Sequence, residues 1–303
     1  MAQFRTRKAP EDGLLLIDKP EGFTSHDVVA RVRRVLRPAV RKVGHAGTLD
    51  PFATGLLVVL VGRATKLARF FVDLPKEYEC VVRFGVRSDT GDRTGTLGES
   101  GRRVTAAEVE AVLPRFVGRI SQRVPMTSAV KVDGERLYKK AHRGEVVETP
   151  VKEVEISAIE VLGFDEAAQT MSCRIACSKG TYVRQLATDI GEAVDAGAHL
   201  HELARTATGA LRLDDAQSLE AFESEVAERA PGDLHIPGLV PPGAALQFLP
   251  AVELSASQVP LVRNGARLSG TAEGAVRAVY RGELIAVYGP VEDGPGLRLL
   301  VRI

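Results

Sequence analysis

A histidine and a carboxylate lie close together in a segment of small residues, Gly44-His-Ala-Gly-Thr-Leu-Asp-Pro51. Glycine at positions 44 and 47 allows tight turning and a close approach of the backbone to a ligand. An ionised aspartate in such a turn can act as a nucleophile or as a base. Taken alone, however, the segment is explained better by Asp50 acting as a turn former ahead of Pro51.

Two other groupings have reactive residue types but the wrong spacing for a site. Ser25-His26-Asp27 contains the residues of a hydrolase triad, but adjacent side chains point in different directions and cannot form a relay. Helix capping is the better interpretation of that segment. His199 and His201 would need distant carboxylates to bind a metal, so we expect surface histidines and no metal site.

The three cysteines, Cys80, Cys173 and Cys177, lack the paired short spacing of a zinc site. They are expected to be buried small apolar residues, with no disulfide framework. With 45% hydrophobic and 26% charged residues, the composition is that of an ordinary globular protein.

The net charge of +1 favours no acidic partner, so only the local distribution of charge is informative. Two segments are rich in basic residues, which is typical either of a phosphate-binding surface or of a solvated helix face. They comprise Arg31, Arg33, Arg34, Arg37, Arg41 and Lys42, and then Lys131, Arg136, Lys139, Lys140 and Arg143. No apolar run approaches the roughly 20 residues of a membrane span, and the start of the chain is polar. We therefore expect a cytoplasmic protein with no membrane contact and no obligatory protein partner.

The elements that must position these residues mix strands and helices without regular alternation. Apolar runs and alternating patterns predict strands over residues 13–18, 56–61, 78–86, 151–164 and 171–178. Amphipathic spacing and capping residues predict helices over 25–36, around 67–74, from 105 onward, and over 181–194. Residues 44–51 are expected to form a glycine-rich turn. This pattern favours an α+β fold with a mixed or antiparallel central sheet flanked by helices.

A change in composition marks a domain boundary late in the chain. Residues 231–243 are rich in Pro and Gly, and the residues beyond read as short strands separated by Gly and Pro. We expect a disordered leader over 1–12, a catalytic domain over 13–230, a linker over 231–245 and a small β-rich domain over 246–303. The linker composition predicts few contacts across the boundary.

Five sequence blocks in order resemble the bacterial TruB-type tRNA pseudouridine synthases, which act on the T-loop uridine at position 55. The resemblance covers roughly residues 13–222, and the tail from Leu249 resembles the family's small RNA-binding PUA domain more weakly. The blocks are Gly13-Leu-Leu-Leu-Ile-Asp-Lys-Pro-Glu-Gly-Phe-Thr-Ser-His-Asp27, Lys42-Val-Gly-His-Ala-Gly-Thr-Leu-Asp-Pro-Phe-Ala-Thr-Gly-Leu56, Lys76-Glu-Tyr78, Ser178-Lys-Gly-Thr-Tyr-Val-Arg184, and Ala198-His-Leu-His-Glu-Leu-Ala-Arg-Thr206.

The resemblance implies a role for each matching residue, and it implies no metal, nucleotide or redox cofactor. Catalytic roles fall to Asp50 as the aspartate, Tyr78 as the tyrosine that stacks on the target base, and Arg184 as the partner of the aspartate. The other implied positions are His45 in place of the flipped base, Tyr182 and Leu203 lining the uridine pocket, and Lys19 and Pro20 supporting the catalytic loop.

Residues 123–150 resemble the insertion that clamps the T arm of tRNA, and the tail is expected to contact the acceptor side. The Pro-Tyr-rich start of the family's insertion appears here as Val124-Pro-Met-Thr-Ser128.

The implied reaction suits an ionised aspartate, which can attack C1′ or remove the 2′ proton as uracil leaves. The sequence does not choose between these routes. Arg184 is expected to keep Asp50 charged by offsetting desolvation. A non-catalytic tRNA-binding or RNA-folding protein is the alternative from another class, and a metal-assisted hydrolase using His45 and Asp50 lacks enough ligands.

Overall fold

A computed structural model describes residues 12–230, 233–292 and 294–303. The expected disordered leader therefore lies outside the described residues except for Asp12. Strands and helices alternate irregularly along the chain. The strands before the boundary are β1 Gly13–Lys19, β2 Val43–Ala46, β3 Thr54–Val61, β4 Lys76–Phe84, β5 Val86–Ser88, β6 Leu97–Glu99, β7 Gly118–Arg123, β8 Lys131–Val132, β9 Glu135–Arg136, β10 Val151–Asp165, β11 Thr170–Cys177, β12 Ala198–Thr208, β13 Leu211–Arg212 and β14 Gln217–Ser218. The helices there are α1 Ser25–Val35, α2 Ala68–Val72, α3 Ala106–Val112, α4 Leu137–His142, α5 Val183–Ala193 and α6 Leu219–Ala227.

A large mixed sheet runs through this part of the molecule in the order β14-β1-β3-β12-β4-β11-β10-β7. The β1–β14 and β3–β12 pairs are parallel, whereas β3 with β1, β4 with β12, and β10 with β11 are antiparallel. Strands β1 and β3 are continuous apolar runs because helices or strands cover both of their faces. The α+β fold with a mixed sheet is confirmed.

Helix α1 begins where the sequence predicts it. Thr24 is the N-cap, and it forms a capping box with Asp27 in which each side chain accepts a hydrogen bond from the other's backbone N–H. Ser25, His26 and Asp27 therefore open a helix and form no relay. Helix α5 buries Leu186 and Ile190 against the centre of the sheet.

Two local expectations were wrong. The segment expected to be a turn from Gly44 begins as strand β2, which pairs with β3, so the turn itself starts at Gly47. His199 is 1% exposed and not a surface histidine. It lies in β12, a central strand that is covered on both sides, and its Nδ1 is 3.0 Å from the Val86 carbonyl oxygen.

The end of the chain forms a second, smaller sheet in the order β15-β16-β17-β18. Its elements are α7 Pro242–Ala245, β15 Ala251–Glu253, α8 Gln258–Arg263, β16 Val276–Tyr280, β17 Glu283–Pro290 and β18 Leu297–Arg302. A small β-rich C-terminal domain is confirmed. No helix in the described ranges is both long and apolar enough to cross a membrane.

The expectation of few contacts across the boundary was wrong. One hydrophobic cluster joins Leu14 and Phe71 of the first part with Leu246, Val287 and Val301 of the second. Backbone hydrogen bonds also link Leu14 and Val240 in both directions, at 2.9 and 2.8 Å. The two sheets therefore share a core although the connecting segment is rich in Pro and Gly.

Candidate active site

The turn that carries Asp50 is fixed by side chains from elements far away in sequence. The buried Nζ of Lys19, at the end of β1, donates to the carbonyl oxygens of Phe23 at 2.7 Å and Pro51 at 3.3 Å. The same ammonium group donates to the Pro20 carbonyl oxygen at 2.9 Å. Lys19 thus ties the loop over residues 20–23 to Pro51, the residue after Asp50.

A second support comes from the first residue of α1. The Ser25 hydroxyl accepts a hydrogen bond from Leu49 N at 2.9 Å and donates to Leu49 O at 3.2 Å. Leu49 also packs in the core with Leu203 and Phe52. The residue before Asp50 is therefore held by both of its backbone polar groups.

Arg184 and Asp50 form a two-point ion pair. Nε of Arg184 donates to Oδ2 of Asp50 at 2.8 Å and Nη2 donates to Oδ1 at 3.3 Å. The arginine side chain is 4% exposed and the carboxylate 35% exposed, so the carboxylate lies where a ligand can reach it. Such a fork-to-carboxylate contact fixes the orientation of both groups.

The remaining donors of Arg184 are held from a different side. Nη1 donates to Thr90 O at 2.9 Å and to Thr127 Oγ1 at 2.5 Å, and it lies 3.5 Å from Oδ2 of Asp92. Asp92 is buried and also accepts hydrogen bonds from Thr94. The guanidinium thus bridges two carboxylates, one that opens to solvent and one that does not.

The charge state of Asp50 reflects this arrangement. Burial raises the pKa of Asp50 above its ordinary value, the Arg184 guanidinium opposes that rise, and the Asp92 charge adds to it. Arg184 therefore offsets part of the effect of desolvation, in the direction that the sequence predicts. Solvent at the exposed third of the side chain limits the size of the shift.

Tyr78 and Leu203 lie on neighbouring strands beside the turn. Leu203 on β12 is 8% exposed and belongs to the cluster that contains Leu49 and Phe52, and Tyr78 on β4 packs against the same cluster. Burial raises the pKa of Tyr78, and the Asp50 charge acts in the same direction. Tyr78 and Leu203 thus pack against the cluster that holds Leu49, the residue before Asp50.

Tyr182 is brought to the site by the start of α5. Gln122 of β7 accepts a hydrogen bond from Tyr182 N at 2.8 Å, and its amide donates to Tyr182 O at 3.1 Å. Burial raises the pKa of this tyrosine. His45, in contrast, lies on β2 ahead of the turn, where burial and the Arg205 and His26 charges lower its pKa.

The sequence-based reasoning missed several groups that the structure brings to the site. They are Ser25, Thr90, Asp92, Gln122, Thr127 and Arg205. Thr127 falls in the segment where the chain departs from the family's insertion. A carboxylate in a Thr- and Gly-rich loop was the only sequence signal for Asp92.

Carboxylates neutralise part of both basic clusters. Arg31 is paired with Glu223, and Arg143 is paired with Glu135 and Glu145. Within these two clusters, the exposed basic residues that form no ion pair with a described residue are Arg37, Arg41, Lys42, Lys131, Arg136 and Lys139. In the part of the chain that the structure describes, no group of three or more His, Cys, Asp or Glu residues is placed to hold a metal ion.

The chain is similar in sequence to proteins of a known family. The family model described as TruB family pseudouridylate synthase (N terminal domain) matches residues 33–183. The chain is 46% identical over 270 residues to tRNA pseudouridine synthase B of Ralstonia pickettii (strain 12J), covering 87% of this chain and 83% of the relative. Identity to tRNA pseudouridine synthase B of Geobacillus thermodenitrificans (strain NG80-2) is 43% over 264 residues, with 85% of each chain covered.

Solved structures give a similar result. A chain of a crystal structure described as a Cbf5-Nop10-Gar1 complex superimposes with a TM-score of 0.73 at 26% identity, covering 96% of this chain and 84% of that chain. A chain of an archaeal box H/ACA sRNP Nop10-Cbf5 complex gives a TM-score of 0.72 at 25% identity, covering 97% and 86%.

Proposed function

The chain belongs to the TruB family of pseudouridine synthases, and we propose that it converts the T-loop uridine at position 55 of tRNA to pseudouridine. It is an isomerase that acts in tRNA processing. The observation that carries the proposal is the two-point contact of Arg184 with a solvent-accessible Asp50, next to Tyr78 and Leu203. A protein that only binds RNA has no use for a carboxylate at such a place, because it would repel phosphates.

The reaction exchanges one bond of the sugar for another. The N1–C1′ bond breaks, uracil turns, and a C5–C1′ bond forms, after which C5 loses a proton and N1 gains one. Asp50 is suited to the first step, either by attacking C1′ or by removing the 2′ proton, because the sugar becomes electron-deficient as uracil departs. Arg184 holds the carboxylate in one orientation throughout.

We assign two roles to Tyr78, stacking on the face of the target base and removing the C5 proton. Tyr182 and Leu203 line the uridine pocket in this proposal, and Lys19 and Pro20 support the turn. The contacts of Lys19 with Phe23 O and Pro51 O support that last assignment.

A uridine within the stacked T loop must leave the stack before it can reach Asp50. Flipping a nucleotide costs a few kcal/mol, which contacts made by the bound RNA must offset. We assign to His45 the position that the flipped base leaves, and to the exposed basic residues the contacts with phosphates. Residues 123–150 contact the T arm in this proposal, and the C-terminal domain contacts the acceptor side.

The proposed domains are a catalytic domain over 13–230, a linker over 231–245 and a PUA-like domain over 246–303.

The test is to incubate the purified protein with an unmodified tRNA transcript and to map pseudouridine at single-nucleotide resolution. Modification is expected at position 55 alone, and a transcript with cytidine at that position should remain unmodified. Modification only at other positions would overturn the assignment of the target. Tight binding without any pseudouridine would favour an RNA-folding protein.

A further inference from the structure

Arg205 occupies the place where the strand that follows the Asp50 turn and the strand that carries Tyr78 come together. It lies on β12, between β3 and β4, where its register partners are Gly55 on one side and Tyr78 on the other. The residue is 1% exposed and is among the largest fully buried side chains in the described part of the molecule.

The guanidinium of Arg205 is fastened to the backbone on both sides of the catalytic aspartate. Nη2 donates to the Gly47 carbonyl oxygen at 3.1 Å, before Asp50, and Nε donates to the Leu56 carbonyl oxygen at 2.8 Å, after it. The turn is therefore spanned by one rigid planar group.

Both positions at this junction carry glycine, Gly55 because the backbone of Arg205 approaches closely and Gly47 because its φ is positive. A Cβ on Gly55 would lie 2.4 Å from the backbone oxygen of Arg205, and Gly55 has a φ of +96°. A Cβ on Gly47, whose φ is +94°, would lie 3.4 Å from Nη1 of Arg205. Gly47 and Gly55 therefore allow the chain on both sides of Asp50 to pass close to Arg205.

The charge of Arg205 has no acidic partner, since no salt bridge involves it anywhere in residues 12–230, 233–292 and 294–303. Burying a cation without a carboxylate is costly. Neutral donors could hold the same two carbonyl groups at lower cost. A fixed positive charge at this point therefore calls for an explanation beyond fastening.

We propose that Arg205 is a positioning residue that locks the Asp50 turn to Tyr78 and keeps the Tyr78 hydroxyl ready to take the C5 proton. The proposal rests on the function proposed above. The hydrogen bonds of the guanidinium hold the turn that carries the Asp50 carboxylate. Its positive charge stabilises the ionised form of Tyr78, the register partner of Arg205 on the neighbouring strand. The group that starts the reaction and the group that ends it are thereby held at a fixed separation.

The electrostatics around Tyr78 agree with this role. Burial raises the pKa of Tyr78, and the charge and N–H groups of Arg205 oppose that rise. The charges of Cys177 on β11 and of Asp50 in the turn both act to raise the pKa. Arg205 thus favours the ionised tyrosine against burial and against these two groups.

The test compares Arg205→Met and Arg205→Lys with wild type in single-turnover reactions on tRNA that contains uridine or [5-²H]uridine. For Arg205→Met we expect tRNA affinity to be retained and pseudouridine formation to fall by about 100-fold, the loss typical of misplaced reacting groups. The isotope effect should grow, because C5–H cleavage becomes the slow step. The rate of pseudouridine formation should fall less in Arg205→Lys, because the ammonium group keeps the positive charge. Some loss is still expected, because an ammonium group cannot bond both carbonyl oxygens as the planar guanidinium does.

The matched control is Arg83→Met, which removes an exposed arginine from β4 and should leave both rate and isotope effect unchanged. If Arg205 acts through the Tyr78 hydroxyl, combining Arg205→Met with Tyr78→Phe should cost no more than the larger single loss. Fully additive losses, or an isotope effect equal to that of wild type, would refute the proposal.

Thermal unfolding of each variant separates a folding defect from the proposed role. If Arg205→Met does not fold, the Lys variant decides, and a folded Arg205→Lys with wild-type rate and isotope effect overturns the inference. Failure of the proposed function would look different, because wild type itself would leave the T-loop uridine unmodified.

Discussion

At Asp50, burial and the Asp92 charge favour the protonated carboxyl, whereas Arg184 favours the ionised one. The first prediction is Asp50→Asn, which keeps the shape but removes the charge. Pseudouridine formation should vanish while tRNA binding survives, because phosphate contacts come from elsewhere. Folding raises the pKa of Asp50, so at pH 7 the ionised group disfavours the folded state, and Tm should be no lower than in wild type.

Single-turnover kinetics, tRNA affinity and thermal unfolding together test this variant. The matched control is Asp195→Asn, since the Asp195 side chain is 90% exposed and far from the turn. A folded Asp50→Asn protein that makes pseudouridine at near wild-type rate would mean that Asp50 is only a turn former.

A second prediction concerns pH. Asp50 must be ionised to react and its pKa is raised, so the rate should fall as pH drops through a value above the ordinary 4 or so of an aspartate. Asp92→Asn removes a like charge and lowers the pKa of Asp50, so the acid limb should move to lower pH. The maximal rate should also fall, because Arg184 loses the ion pair with Asp92 that helps to orient its guanidinium group.

The control for that profile is Asp89→Asn, on the same loop. Asp89 accepts a hydrogen bond from Thr96 N at 2.8 Å and does not contact Arg184. Its acid limb should coincide with that of wild type. An unshifted limb in Asp92→Asn would show that Asp92 does not influence the aspartate.

At the scale of elements, the insertion over 123–150 contains two lysines that are adjacent in sequence but differ in surroundings. Lys139 is exposed, whereas the Lys140 side chain is 12% exposed and its Nζ lies 3.6 Å from Oδ2 of Asp133. We predict that Lys139→Ala lowers the salt dependence of tRNA binding by about one unit of slope, the effect of one lost phosphate contact.

Lys140→Ala serves as the matched control and should change that slope less. The measurement is tRNA affinity over a series of salt concentrations for both variants. Equal slopes for Lys139→Ala and wild type would remove Lys139 from the RNA-binding surface.

The elements that could be predicted from sequence are those with a local signal. The capping box of Thr105 and Glu108, the apolar run of β3 and the alternation of β10 and β11 each appear where the pattern indicates. Strand β12 was recognised only as a family block, since its His-Leu-His pattern has no simple period and a bulge interrupts it between Leu200 and Glu202.

Site residues followed the same rule. Asp50, Tyr78 and Arg184 were found because they stand in recognisable blocks, and the structure brings them together. Asp92 and Arg205 make their contacts with residues distant in sequence. Arg205 stands in the fifth block and Asp92 in a Thr- and Gly-rich loop, but no local pattern indicates which residues they contact. The raised pKa of Asp50 could not be foreseen either, since it depends first on burial and then on the charges that the fold places around the carboxylate, Asp92 among them.

At the scale of the whole molecule, the two sheets form one hydrophobic unit. Phe71 and Phe248 pack edge to face across the boundary with ring centroids 6.1 Å apart, and Leu246 is fully buried in the shared cluster. The Pro- and Gly-rich composition of the linker indicates the flexibility of the linker alone. It gives no information about which side chains on either side of the linker pack together, so the prediction of few contacts across the boundary was wrong.

We predict that Leu246→Ala lowers the free energy of unfolding by about 2–5 kcal/mol, the usual cost of such a truncation in a core. The whole chain should unfold in one transition, because both sheets lose packing together. Denaturant unfolding followed by probes in each sheet checks this. Two separate transitions, with only the second shifted, would mean that the domains are independent.

A chain cut after Pro242 should be less stable than the intact protein or should aggregate, since it exposes Leu14 and Phe71. The control is Leu261→Ala in the full chain, because Leu261 is 56% exposed and its loss should cost little stability. A cut protein with wild-type Tm would contradict the shared core.

The pairing of Leu14 with Val240 also has a consequence for biosynthesis. Strand β1 is translated well before Leu246, Val287 and Val301, which cover one of its faces. Until those residues are available, Leu14 and Leu16 remain exposed on the nascent chain. The native core is therefore expected to close only after the second sheet has been translated, with β1 as the segment on which a chaperone would act.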